Sequence, residues 1–168
     1  MPDILPARDG QRMRSHSDGQ DWLVSWHPPA ARPDGIPHGA TGVCVTDADQ
    51  LVLISPDGVY WGFPGGRPEG EESPEETLRR EVLEEACAIV KGARLLGFAR
   101  GECVQGWELG RILVRSYWRA EVNVAPWEPL YEIPHRRVIA AADARAQLRD
   151  PLPVSNRISH RALVEAGL

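Results

Sequence analysis

The sequence predicts an α/β (α+β) fold in which a mixed β-sheet lies between helices. Apolar runs of strand length recur along the chain and are separated by turn residues. One strongly signalled helix interrupts these runs, and a second amphipathic segment follows the last of them. Strands on both sides of a central helix, followed by a terminal helix, favour a sheet that is covered on both faces.

The composition agrees with a globular domain of this class. The chain has 168 residues, of which 42% are hydrophobic and 26% are charged, close to the averages of soluble domains. Its net charge of −5 at pH 7 argues against a nonspecific nucleic-acid binder, which carries a basic face. No apolar run approaches the roughly 18 residues that span a membrane. We therefore expect neither a nucleic-acid partner nor a membrane partner.

The beginning of the chain and the cysteines predict a reducing, cytoplasmic setting. Residues 1 to about 20 lack the apolar stretch of a secretory signal. Cys44, Cys87 and Cys103 form no C-x-x-C pair and are odd in number. This pattern argues against a structural disulfide or zinc site.

The first 38 residues are predicted to stand apart from the rest. Residues 1 to about 20 are polar and charged and predict a frayed arm, whereas DWLVSWH (21–27) predicts one short strand. A proline-rich connector follows. We therefore divide the chain into an N-terminal arm and connector, 1–38, and a single folded domain, 39–168.

The domain 39–168 begins with a predicted hairpin. ATGVCVT (40–46) and QLVLIS (50–55) are apolar runs on either side of a DAD turn. VYWGFPGG (59–66) then leads into a loop rich in glycine and proline.

The clearest helix follows this loop. Ser73 is a good N-cap, Pro74 suits the first helical position, and Glu76 completes a capping box with Ser73. We expect the helix to run to about Ala88.

The second half of the domain predicts further strands and two helices. Three prolines make residues 125–135 a loop. The predicted strands are ARLLGFARG (93–101), RILVRSYWRAEV (111–122) and RRVIA (136–140), and the predicted helices are ADARAQL (142–148) and NRISHRALVEA (156–166).

Three glutamates share one face of the clearest helix. Each residue turns a helix by about 100°, so Glu84 lies at about −60° and Glu85 at about +40° relative to Glu81. Like charges are costly beside a core, and a hard cation reverses the sign of that cost. Mg²⁺ prefers oxygen ligands, and Mn²⁺ can substitute for it. The predicted apolar stripe beside the glutamates consists of Leu78, Val82, Ala86 and Ile89.

The segment GGRPEGEESPEETLRREVLEEACA, residues 65–88, resembles the Nudix box. The positions that fall on its spacing without a gap are Gly66, Glu72, Arg80, Glu81, Val82, Glu84 and Glu85. Cys87 stands where the family usually has glycine, and Ala88 is a small version of the final apolar residue. The alternative interpretation is that the glutamates form a charged helix face that is simply exposed to solvent. That interpretation does not explain the glycine-rich loop, the box spacing or Arg80.

The resemblance implies a Nudix-like fold and a Mg²⁺-dependent hydrolase that cleaves a nucleoside diphosphate linked to another moiety. It implies Glu81, Glu84 and Glu85 as metal ligands, together with the carbonyl of Gly65. Arg80 is expected to hold a glutamate by a bidentate contact. Gly66 and Glu72 are expected to support this set, with Glu72 satisfying N–H groups at the helix start.

The general base stays open between two positions. Family members use either a glutamate of the box, here Glu81, or one in a later loop. Glu132 in PLYEIPH is our loop candidate, and Glu128 is the second choice.

Substrate recognition is the least determined part of the sequence. Trp61 is our first candidate for base stacking, and Arg67 and Arg111 are candidates for holding phosphates. Weaker candidates of the same kinds are Tyr60, Trp107, Tyr117, Trp118 and Arg100, and His135 is expected to be structural. The nucleotide, the number of metal ions and a homodimeric assembly are all left open.

Two other functions are weighed against the hydrolase. A binding module that senses a nucleotide without cleaving it would be expected to lack the box glutamates, which are all present here. Some relatives isomerise isoprenoid diphosphates, but that chemistry needs a reactive cysteine with partners that we do not find.

Cys87 carries a separate structural prediction. Cysteine tolerates a positive φ poorly, so we expect the helix to continue through Cys87 in ordinary geometry. We also expect this side chain to be buried and not catalytic.

Overall fold

The computed structural model describes residues 3–168, which form one eight-stranded mixed sheet with helices on both faces. The predicted fold class is therefore confirmed. The strands are β1 (Met13–Ser17), β2 (Gln20–His27), β3 (Ile36–Val45), β4 (Gln50–Ser55), β5 (Gly65–Gly66), β6 (Ala88–Gln105), β7 (Ile112–Val124) and β8 (His135–Ala140). The helices are α1 (Pro74–Ala86), α2 (Ala144–Gln147) and α3 (Pro153–Glu165), with 3₁₀ turns at Pro29–Ala31 and Ala141–Asp143.

The strand order is β1-β2-β6-β7-β3-β4-β8, and β5 pairs with β3 beside this path. β3 and β7 run parallel to each other, and the other pairs are antiparallel. The short β5 places Gly65 opposite Thr41 and Gly66 opposite Ala40. This pairing fixes the loop rich in glycine and proline (59–66), called the glycine loop below, against the middle of the sheet, before α1 begins.

Two apolar clusters lie on the two faces of the sheet. α1 buries Leu78, Val82 and Ala86 on one face. On the other face, α3 buries Ile158, Ala162 and Leu163. The layered arrangement follows from these stripes, because each helix can bury its apolar side only against the sheet. No helix within residues 3–168 is long and apolar enough to cross a membrane.

The frayed arm predicted for residues 1 to about 20 is wrong for the described part of it. Met13–Ser17 forms β1, which pairs with β2, and both Ala7 and Met13 are buried. Asp18 and Gly19 join the two strands with φ values of 51° and 73°, as a two-residue hairpin turn requires. The Asp-Gly pair at 18–19 could have predicted this hairpin. The polar composition of β1, an edge strand, made the segment look unstructured.

The other elements follow the predictions with shifted ends. β6 and β7 are longer than predicted, and α3 begins at Pro153 instead of Asn156. Residues 142–148 form a 3₁₀ turn followed by the short α2. Ile89 lies in β6 and is 56% exposed, so it does not extend the apolar stripe of α1.

Candidate active site

α1 begins with a complete capping box. The N–H of Glu76 donates to Ser73 Oγ at 3.2 Å, and the Ser73 N–H donates to Glu76 Oε2 at 3.2 Å. Pro74 occupies the first turn, where its missing N–H costs nothing. The predicted start of the helix is therefore confirmed, and it sets the angular position of every glutamate that follows.

Two of the three glutamates of α1, Glu81 and Glu85, contact the glycine loop. The Gly65 N–H donates to Glu85 Oε1 at 3.0 Å. The Glu81 carboxyl group lies against Gly66, at the place where any β-carbon at residue 66 would stand. Gly66 is therefore required by the close approach of an acidic side chain, not by an unusual backbone conformation.

Arg80 connects the acidic side chains. Its Nε and Nη2 donate to the two carboxylate oxygens of Glu72 at 2.9 and 3.0 Å. Its Nη1 donates to Glu81 at 2.9 Å and to Glu84 at 3.1 Å. One planar guanidinium thus fixes three carboxylates, with the bidentate contact falling on Glu72.

Glu72 does not contact the N–H groups of the helix start, contrary to the expectation from its position. Its carboxylate accepts from the Glu69 N–H at 2.6 Å, and the Thr77 hydroxyl donates to it at 3.4 Å. The helix start is already satisfied by Ser73, which leaves Glu72 free to bind Arg80. The Arg80 hydrogen bonds lower the pKa of Glu72 to about 2.

Glu85 has an altered pKa because its carboxyl group is buried. Burial raises the pKa of Glu85 to about 7, and the negative charges of Glu81 and Glu132 raise it further. The hydrogen bond from Gly65 and the charge of Arg115 act in the opposite direction. The carboxyl group of Glu85 therefore lies where negative charge is concentrated and water is scarce.

The loop between β7 and β8 reaches the end of α1. Glu132 is exposed, and its charge is felt at Glu85. Glu128 is also exposed, and its carbonyl oxygen accepts a hydrogen bond from Cys87 Sγ at 3.3 Å. The charge of Glu132 acts on Glu85, whereas the backbone of Glu128 is tied to the helix end.

Cys87 contradicts our prediction for the helix end. α1 stops at Ala86, and Cys87 has φ 50° and ψ 48°, the left-handed conformation, while its side chain is only half-buried. The chain must turn here, because Ala88 already pairs with Val124 in the sheet. Arg136 stabilises the turn: its Nη1 donates to the carbonyls of Ala86, Cys87 and Ala125 at 3.0, 3.4 and 2.8 Å.

A cavity of about 600 Å³ opens next to the glycine loop, between the β1–β2 hairpin, the sheet and the start of α3. Arg67 and Arg111 both line it, as two side chains predicted to hold phosphates, and Tyr117 lines it as well. Arg115, His38 and Trp22 complete the wall and were missed from the sequence. The sequence could have identified Arg115 as a cavity residue. Alternate residues of a strand share one face, so Arg115 lies on the same face of β7 as Leu113 and Tyr117.

Arg115 links this cavity to the glutamates. Its Nη1 donates to Thr41 Oγ1 at 3.0 Å, and Thr41 is paired with Gly65. Burial lowers the pKa of His38 to about 4, and the charges of Arg115, Arg67 and Arg111 lower it further. These three arginines therefore converge on one region of the cavity wall.

The structure places Trp61 away from this cavity. Its side chain is 8% exposed in the core, with the Arg137 guanidinium 4.0 Å from the ring centre, so a role in base stacking is not supported. Arg100 pairs with Glu102 and lines a different depression. Tyr60 and Trp107 are exposed at 40% and 73%, Trp118 packs against the cluster under α1, and His135 lies near the Trp61 ring.

The acidic face offers hard oxygen donors, but it is not a preformed metal shell. Within residues 3–168, no three acidic, histidine or cysteine side chains already stand together as a metal-binding group. Arg80 and the Gly65 N–H bind carboxylate oxygens that a metal ion would need. The donor chemistry nevertheless fits Mg²⁺ or Mn²⁺, which take carboxylate and carbonyl oxygens.

Comparisons with known proteins agree with this geometry. The chain is 34% identical over 100 residues to proteins from two Mycobacterium tuberculosis strains that are provisionally named 8-oxo-dGTP diphosphatase 3. The match covers 51% of this chain and 42% of each relative, so it spans less than half of the relatives' length.

Solved structures share the fold at lower identity. The Bacillus subtilis pyrophosphohydrolase BsRppH, solved as a mutant, has a TM-score of 0.65 and 20% identity over 94% of this chain and 98% of its own. A NUDIX hydrolase from Nitrosomonas europaea has a TM-score of 0.59 and 22% identity, with coverage of 79% and 89%. The NUDIX domain family matches residues 36–145. The chain therefore belongs to the Nudix family.

Proposed function

We propose that this protein is a Mg²⁺-dependent hydrolase that cleaves the pyrophosphate bond of a nucleoside diphosphate linked to another moiety. The observation that carries the proposal is the clustering of three glutamates of α1 at the glycine loop and Arg80. Arg80 binds Glu81 and Glu84, and the Gly65 N–H binds Glu85. Membership of the Nudix family and the names of the relatives support it.

The cation would be held by Glu81, Glu84 and Glu85, with the carbonyl of Gly65. When bound, it supplies a water of lowered pKa and neutralises charge on the phosphate oxygens. Burial raises the pKa of Glu85, and the charges of Glu81 and Glu132 raise it further. A bound cation would offset that repulsion. Mn²⁺ is expected to replace Mg²⁺, because both favour oxygen ligands.

The protein's own side chains then have separate tasks. Arg80 holds Glu81 and Glu84 in one orientation, and Gly66 leaves room for the Glu81 carboxyl group. Glu132 is our candidate for accepting the proton of the attacking water, because it stands in a loop outside the helix. Glu81 is the alternative base, as a member of the box itself.

The cavity is proposed to hold the nucleotide. Its volume of about 600 Å³ lies within the usual range of small-molecule sites. Trp22 and Tyr117 offer aromatic surfaces there. The name of the Mycobacterium tuberculosis relatives makes purine nucleoside triphosphates the first substrates to test. We further propose a cytoplasmic protein that acts on small molecules, with residues 39–168 as its catalytic domain.

A non-catalytic nucleotide sensor with the same fold is the second candidate. Both candidates predict nucleotide binding, but only the hydrolase predicts products. The presence of all three glutamates favours the hydrolase, because a sensor has no need for the repulsion that they introduce.

The test is a screen for hydrolysis with Mg²⁺ and with excess chelator. The substrates are nucleoside triphosphates, nucleotide sugars, ADP-ribose and dinucleoside polyphosphates, and the products are separated by ion-exchange chromatography. We expect at least one substrate to be cleaved at a phosphoanhydride bond, and only with the cation. Glu85→Gln should abolish the activity, while Glu75→Gln on the same helix should retain it. Among residues 3–168, the ion pair of Glu75 is with Arg79, at 3.5 Å, and not with the residues of the site. Binding without cleavage of any substrate would favour the sensor.

A further inference from the structure

We propose that Gln20 is a positioning residue that holds Arg111, through Glu108, in a phosphate subsite formed by Arg67, Arg111 and Arg115. The inference rests on the proposed function and assigns that site a preference for nucleoside triphosphates. Gln20 lies on the β1–β2 hairpin, outside the matched region 36–145. The subsite would therefore depend on a segment that precedes the matched domain.

Gln20 is a buried polar side chain with a specific set of contacts. It is 3% exposed. Its Nε2 donates to Glu108 Oε2 at 2.8 Å, and its Oε1 accepts from the Glu108 N–H at 2.9 Å. The Cys103 thiol donates to the same Oε1 at 3.5 Å. Buried amides persist when their hydrogen bonds are satisfied, and here most of those bonds go to Glu108.

Glu108 passes this constraint to Arg111. Its second carboxylate oxygen, Oε1, accepts from Arg111 Nη1 at 2.7 Å. The side chain of Arg111 is 50% exposed, whereas that of Glu108 is 25% exposed. An exposed arginine loses considerable rotamer freedom when it binds a ligand, so an anchored carboxylate beside it lowers that cost.

The two other arginines lack such carboxylate partners. Among residues 3–168, the ion pairs do not include Arg67 or Arg115, and Arg115 binds only the hydroxyl of Thr41. The cavity wall carries three arginines against two carboxylates, Asp18 and Glu108, in a chain whose net charge is −5. This local positive excess predicts an anionic ligand.

Phosphate is the anion that best fits this wall. Guanidinium groups bind phosphate oxygens through paired N–H donors. Arg115 and the backbone of Arg67 also adjoin the glutamate site, because the Arg67 carbonyl accepts from Arg80 Nη2 at 2.9 Å. A phosphate chain can therefore extend from the glutamates of α1 onto the arginines. A neutral sugar in the same place would not neutralise the charges of the arginines.

The first experiment measures the binding of inorganic pyrophosphate by calorimetry with excess chelator. Wild type should bind, and Arg111→Gln should raise the Kd by about tenfold. Arg100→Gln is the matched control, since Arg100 is also paired with a glutamate but lines a different depression. We expect its Kd to equal that of wild type. No pyrophosphate binding to wild type, or equal weakening by both variants, would overturn the subsite.

Gln20 is tested with two variants, so that a loss of folding in one of them still leaves the other to decide. Gln20→Leu removes its hydrogen bonds, and Glu108→Gln removes the charge that Arg111 binds. Cooperative thermal unfolding shows which variants are folded, and each folded variant should raise the pyrophosphate Kd about threefold to tenfold. Arg111→Lys should lose less pyrophosphate affinity than Arg111→Gln. Unchanged affinity in the folded variants would overturn the positioning role.

Kinetics separates this inference from the proposed function. With GTP, Gln20→Leu and Arg111→Gln should raise KM more than they lower kcat. The increase in KM should be smaller with GDP-mannose, because a neutral sugar takes the place of the third phosphate. Hydrolysis without this difference in KM would refute the inference and leave the hydrolase intact. Pyrophosphate binding that follows the pattern above, without hydrolysis of any nucleotide, would refute the hydrolase and leave the subsite intact.

Discussion

At the scale of single residues, Gly66 shows how closely the acidic site is packed. The Glu81 carboxyl group occupies the volume that a β-carbon at residue 66 would need. Arg80 holds the same carboxyl group with a hydrogen bond of 2.9 Å. Glu81 therefore has little freedom to move aside, and its position depends on a missing side chain.

The first prediction compares two glycine variants. Gly66→Ala should lower kcat/KM at least tenfold, because it displaces Glu81 from the position that Arg80 sets. Gly62→Ala is the control, since a β-carbon there meets nothing within 4 Å. Steady-state hydrolysis of the best substrate is the measurement. Equal activities of the two variants would show that the Glu81 position is not critical.

The second prediction concerns His160, a buried residue of α3 that is 3% exposed. Its Nε2 has no hydrogen-bond partner among residues 3–168. Burial lowers the pKa of His160, and the charges of Arg149 and Arg145 lower it further. A lowered folded pKa leaves stability unaffected above the ordinary value of 6.5, but stability falls as pH drops below that value, since the unfolded chain binds the proton more readily.

Unfolding by urea at about pH 7.5 and about pH 5 measures this effect. The loss of unfolding free energy between the two pH values should be smaller in His160→Gln than in wild type. It should not vanish, because burial also lowers the pKa of His27 and His38. An undiminished loss in the variant would exclude His160 as a contributor.

At the scale of secondary-structure elements, the junction of α1 with β6 joins the site to the later loop. Cys87 makes the turn in a left-handed conformation, and its thiol holds the carbonyl of Glu128. Arg136 stacks 5.2 Å from the Trp127 ring centre while it binds the carbonyls at the helix end. The contacts of Cys87 and Arg136 therefore fix both the end of α1 and the loop that carries Glu132.

The third prediction is that Cys87→Gly stabilises the protein. A left-handed conformation costs a residue other than glycine about 1–2 kcal/mol, whereas glycine costs about 0.4–1 kcal/mol through the entropy of the unfolded chain. The difference favours glycine, and the lost thiol bond is weak. Denaturant unfolding should give Cys87→Gly a higher free energy than Cys87→Ala, which keeps the strain and loses the thiol bond. Both variants should remain active, and the reverse order of stability would contradict the assigned strain.

The fourth prediction assigns the general base within the loop. Glu132→Gln should lower kcat by about 10² to 10⁴, the usual cost of losing such a group, with little change in metal affinity. Glu128→Gln should be much milder, because only its backbone is tied to Cys87. Single-turnover kinetics would separate chemistry from binding. If Glu132→Gln resembles wild type while Glu81→Gln is inactive, the base belongs to α1.

At the scale of the whole molecule, the helix and its acidic face were predictable because they are local. The capping box is read from two residues that are three positions apart. The angular spacing of the three glutamates and the apolar contacts of Leu78 and Val82 follow from the period of one helix. The alternating strands likewise predicted most of the sheet. These features need no knowledge of distant parts of the chain.

What escaped prediction depends on contacts between distant segments. Gln20 meets Glu108 across 88 residues, and Arg115 meets Thr41 across 74. The turn at Cys87 is imposed by the pairing of Ala88 with Val124 and stabilised by Arg136. Such contacts are decided by the strand order, which the sequence pattern alone does not provide. The division of the chain after residue 38 stays a prediction, although the β1–β2 hairpin belongs to the same sheet.

Direct cation binding tests the central claim, that the glutamate face of α1 binds a divalent metal. Mn²⁺ would be titrated into wild type, Glu84→Gln, Glu85→Gln and the control Glu75→Gln, with free Mn²⁺ read by electron paramagnetic resonance. We expect wild type and the control to bind with the same affinity, and each of the other two variants to bind at least tenfold more weakly. Equal Mn²⁺ affinity in all four proteins would contradict the assignment of the metal site.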